Sequence, residues 1–70
     1  MKTFIKDADA VVGAVLRADA GFTCLADGDE RTVQSNQRGE RFIECCDGRH
    51  YLAGQKTDDG HLSGLTLATH

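Results

Sequence analysis

The amino-acid sequence predicts an α+β fold, with one N-terminal helix packed on one face of a four- to five-stranded antiparallel β-meander. Residues 7 to 20 place apolar side chains at helical spacing. From residue 22 onward the chain has no proline, and short apolar runs alternate with turn residues. At 70 residues the chain fits one small α+β domain over residues 1 to 70. A domain of that size buries roughly 60% of the surface its unfolded chain exposes, which leaves little room for a deep pocket.

Within "DADAVVGAVLRADAG", Ala8, Val11, Val12, Val15 and Leu16 recur on one helical face, and Asp19 continues the stripe. Asp7 suits the N-cap, Asp9 adds negative charge to the first turn, and Gly21 suits the residue after the last turn. Gly13 inside this span costs a helix up to about 1 kcal/mol against alanine. Ahead of it, "TFI" reads as a short strand or an apolar staple. Strands are expected at residues 22 to 26, 31 to 35, 41 to 46, 49 to 55 and 61 to 68. The loops "DGDE" and "NQRG" and the pairs Asp47-Gly48 and Asp59-Gly60 separate them, and Asp-Gly favours a two-residue hairpin turn.

If both pairs are such turns, Cys46 faces Arg49, Cys45 faces His50, Ile43 faces Leu52, Leu52 faces Leu67 and Gly54 faces Leu65. Opposed residues share a sheet face. Ile43, Cys45, Leu52, Leu65 and Leu67 then lie under the helix, and Phe42, Glu44, Cys46, Arg49 and Tyr51 lie on the other face.

Composition narrows the function classes. A net charge of −3 argues against general affinity for nucleic acid, which is driven by a basic surface that displaces counterions. The longest apolar run, "AVVGAVL", is far short of the roughly 20 residues a membrane span needs, so no membrane partner is expected. Three cysteines, without zinc-finger spacing or a secretory leader, are expected to be reduced thiols in the cytoplasm.

Three constellations carry potential chemistry. In "ECCDGRHYL", Cys45 and His50, with Cys24, offer a small metal- or thiol-dependent site; Cys-x₄-His is a weak metal signature, and the competing reading makes Cys45 a small core hydrophobe. A second group joins Phe42 and Tyr51 to Arg38, Arg41 and Arg49. Rings flanked by guanidinium groups suit a single-stranded nucleic acid or a protein hot spot, while cross-strand pairing alone also accounts for the rings. The acids of "DGDE" lack the spacing of a calcium loop, and neither glycine-rich phosphate motif occurs.

The function expected from this balance is non-enzymatic, with no catalytic residue, metal or cofactor. It is a small cytosolic regulator, adaptor or inhibitor docking on a larger partner through a sheet face or edge; a phage or mobile-element accessory protein is one example of such a chain, and the residues leave the origin open. Its binding residues would be Phe42, Tyr51, Arg49 and Arg41, and homodimerisation is one way to satisfy that face. The alternatives are RNA or single-stranded nucleic-acid binding through residues 38 to 51, then the site at Cys24, Cys45 and His50.

Overall fold

The computed structural model describes residues 5–19, 22, 25–45, 48–52 and 60–68. They form six short strands: β1 (Val15–Ala18), β2 (Glu30–Thr32), β3 (Gln34–Ser35), β4 (Arg41–Cys45), β5 (Gly48–Tyr51) and β6 (Leu65–Leu67). These make two three-stranded antiparallel sheets, ordered β2-β1-β6 and β3-β4-β5. The fold is mostly β, which corrects the α+β expectation.

The helix expected over residues 7 to 20 is absent from the described part of that span. Asp7–Asp9 make one 3₁₀ turn, and β1 begins at Val15. Gly13 has φ +95°, in the left-handed region, which interrupts any helix there. Its N–H donates to the Val33 carbonyl at 2.9 Å, while Ala14 N–H closes a turn on Val11 O at 3.0 Å. A second period competes with the helical one: Ala14, Leu16 and Ala18 alternate, and all three are buried. The alternating period prevails because β1 is the central strand of its sheet, hydrogen-bonded to β2 and β6, with Leu16 and Ala18 buried in the core. A lone 14-residue helix carrying valines and an internal glycine is marginal by comparison. Val11 and Val12, expected on the packed face, are 55% and 59% exposed.

Val33 links the two sheets. It is the single residue between β2 and β3, and it is buried. Its N–H donates to Ala14 O at 2.8 Å, so the chain leaves the first ladder only as it enters the second. The core lies between the sheets, with Leu16, Val33, Ile43, Leu52, Leu62 and Leu65 each under 2% exposed. Ile5 joins it and is tied down by backbone bonds to Leu62 and Leu65. Arg31 spans the sheets by donating from Nε to the Glu44 carbonyl at 3.0 Å.

The β4–β5 hairpin exists, but its register differs from the expected one. Phe42 opposes Tyr51, Ile43 opposes His50, Glu44 opposes Arg49 and Cys45 opposes Gly48. Gly48 thus lies within β5, opposite Cys45, rather than in a turn, and residues 46 and 47 lie outside the described residues. The shift moves each partner by two positions, so the inner and outer faces keep their membership even though Cys45 and His50 no longer oppose each other. The second expected pairing fails outright. Leu67 opposes Leu16 and Leu65 opposes Ala18, which puts β6 beside β1 rather than β5. Asp59 and the rest of residues 53 to 59 lie outside the described residues, as do Thr3, Phe4 and Cys24. Phe22 and Leu25, from the strand expected at residues 22 to 26, are buried but lie in no strand. No helix among the described residues is long and apolar enough to cross a membrane.

Candidate functional site

The outer face of the β3-β4-β5 sheet carries the candidate site. Alternation along β4 sends Ile43 and Cys45 inward and Phe42 and Glu44 outward. Cross-strand pairing then sets Gln34 and Tyr51 on either side of Phe42. Phe42 and Tyr51 are direct neighbours, with ring centroids 6.0 Å apart and planes inclined at 60°.

Phe42 is nevertheless covered. Its exposure is only 4%, against the expectation that both rings lie open, and the Arg49 guanidinium carbon sits 4.8 Å from its ring centroid. That distance is a cation–π contact. Tyr51 is 41% exposed and presents the one large ring on this surface.

The loop after β3 walls the face. Asn36 Oδ1 accepts the backbone N–H groups of Arg38 and Glu40, both at 2.9 Å, and Gly39 N–H closes on Asn36 O at 3.0 Å. Asn36 Nδ2 donates to Glu40 Oε1 at 2.8 Å and reaches the Tyr51 hydroxyl at 3.4 Å. One amide thus fixes the loop and ties it to the ring. Asparagine is suited to this because its short side chain bonds the backbone two residues ahead. The result is an open concavity of about 730 Å³ bordered by Gln34, Asn36, Arg38, Glu40, Arg49 and Tyr51, with Phe42 at its floor. Its polar wall was missed in the sequence, although the Asn-x-x-Gly spacing of "NQRG" carries the turn signal.

The charges here are unevenly engaged. Glu40 accepts from Asn36, and Glu44 accepts from Gln34 Nε2 at 3.3 Å. Although Glu44 opposes Arg49 in the ladder, neither Arg38 nor Arg49 takes part in the ion pairs Arg17–Glu30 and Arg41–Asp7. Both cations border the concavity.

Arg41 belongs elsewhere. It donates from Nη1 to the carbonyls of Asp7 and Ala10 at 2.8 and 2.7 Å, and from Nη2 to Asp7 Oδ1 at 3.0 Å, while also bordering, with Gly39, Glu40 and Tyr51, a smaller hollow of about 200 Å³. It fastens the 3₁₀ turn to β4 and does not line the concavity at Phe42. His50 turns inward, edge-on to Phe22 at 5.1 Å, and Cys45 is buried in the core. Among the described residues, no three His, Cys, Asp or Glu side chains gather in a way that could hold a metal ion.

No protein-family model matches the chain, and no curated protein or solved structure does either.

Proposed function

We propose that the protein is a non-enzymatic interaction module that docks on a larger protein through the outer face of β3-β4-β5, acting as a small cytosolic regulator, adaptor or inhibitor. The observation that carries this reading is the exposed Tyr51 ring, held by Asn36 at its hydroxyl and backed by the Arg49–Phe42 stack. A pre-positioned aromatic ring gives large contact area at little entropic cost, and such rings anchor protein interfaces.

Nucleic-acid binding is supported less well. A single-strand platform needs successive open rings, whereas Phe42 lies beneath Arg49, leaving Tyr51 as the exposed ring on this face. The overall charge of −3 also opposes it.

The test is capture from native lysate with the whole chain immobilised. Tyr51→Ala should lose the partner while nuclease treatment leaves capture unchanged. Leu67→Ala, which removes an exposed leucine from the other sheet, should retain it. Capture that survives Tyr51→Ala, or is abolished by nuclease, would remove this reading.

A further inference from the structure

The concavity beside Tyr51 has a charge character that the chain as a whole lacks. Its borders carry Arg38, Arg49 and Glu40, a local excess of one positive charge on a chain of net charge −3. Glu40, the one acid among these lining residues, accepts from Asn36, and Glu44, on the same sheet face but outside the lining, accepts from Gln34. Neither guanidinium has a carboxylate within ion-pair distance among the described residues. Arg49 is held over Phe42, so its planar fork is oriented before any ligand arrives. Gln34, Ser35 and Asn36 add neutral polar groups along the same wall.

Building on the docking reading above, we infer that the occupant is an acidic peptide segment of the partner protein, whose Asp or Glu carboxylates pair with Arg49 and Arg38 while its backbone packs beside Tyr51. Guanidinium groups are matched to carboxylates because two parallel N–H donors meet two oxygens. Charge complementarity of this kind selects the partner and speeds encounter more than it raises affinity, so binding is modest and weakens with salt. Phosphate-bearing strands share the anionic chemistry. They would also need base stacking, and the buried Phe42 does not provide it.

The experiment titrates the whole chain with a tyrosine-free peptide of alternating Asp, Glu and Gly, following backbone amide shifts and Tyr51 emission. Tyr51 is the only tyrosine and there is no tryptophan, so the emission reports one position. Two further probes are the Asn/Gln/Gly counterpart and oligouridylate. The expected result is binding of the acidic peptide alone, with shifts at Ser35, Asn36 and Arg49. Arg38→Gln and Arg49→Gln should each weaken it roughly two- to fivefold, as exposed charge pairs do. Glu40→Gln should tighten it. Arg38→Gln does not touch the Phe42 stack, so it tests the charge even if Arg49→Gln loosens the sheet. Equal binding of the neutral peptide, binding of none, tighter binding of oligouridylate, or self-association that the peptide cannot displace would each overturn the inference. If the acidic peptide fails while partner capture still depends on Tyr51, the docking reading stands and only the acidic occupant falls.

Discussion

Arg49 stacks on Phe42, with its guanidinium carbon 4.8 Å from the ring centroid, and this contact covers a ring that the sequence alone would leave open. Arg49→Ala is therefore expected to expose Phe42 and lower stability by about 0.5–1 kcal/mol. For a domain of this size, each kcal/mol is worth about 4–8 °C in melting temperature. Arg49→Lys should recover only part of the loss, since an ammonium group lacks the planar stacking surface. Thermal melts followed by circular dichroism measure both.

Arg41 is expected to be structural. Its two bonds to backbone carbonyls and its pair with Asp7 join β4 to the 3₁₀ turn. Arg41→Met should cost about 1–3 kcal/mol, because hydrogen bonds from a charged donor are lost and acceptors are left unmatched. Asp7→Asn should cost less, since the pair is partly solvent-exposed and the amide oxygen still accepts. Chemical denaturation would rank them, and partner capture by Arg41→Met at a temperature where it stays folded should be unchanged.

Gly13→Ala separates the observed fold from the helical alternative by the sign of its effect. In a helix interior the change would stabilise by up to about 1 kcal/mol. Here the backbone has φ +95° and nothing lies within 4 Å of an added Cβ, so the cost is conformational alone. A loss of about 1–2 kcal/mol is expected. Gly64→Ala should be more damaging, because φ is +81° and its Cβ would come within 3.0 Å of both the backbone nitrogen and the Cβ of Phe22. Melting temperatures of the two variants suffice.

These positions show which parts of the structure could be read in advance. Alternation along β4 and β5 separates Ile43, Cys45 and Leu52 from Phe42, Glu44, Arg49 and Tyr51, because each side-chain direction follows from a local period of two. The hairpin register was not legible, since two pairings whose partners differ by two positions give the same faces. Residues 7 to 20 satisfied two periods at once, and only the flanking strands, distant in sequence, decided for the strand. The cover over Phe42 and the wall at Asn36 depend on tertiary placement of Arg49 and Tyr51, which no local pattern encodes. The anchoring of Arg41 is equally hidden, because its acceptors at Asp7 and Ala10 come from a segment that reads as helix in the sequence.

Hydrogen exchange of the chain alone and with its bound partner tests the central claim most directly, because it reports each segment of the surface in one measurement. The account predicts slowed exchange in residues 34 to 42 and 48 to 51, around the concavity and Tyr51, with β1 and β6 unchanged. Protection that appears instead at β6 around Leu67, or at the exposed Val11 and Val12, would place the interface elsewhere and contradict it.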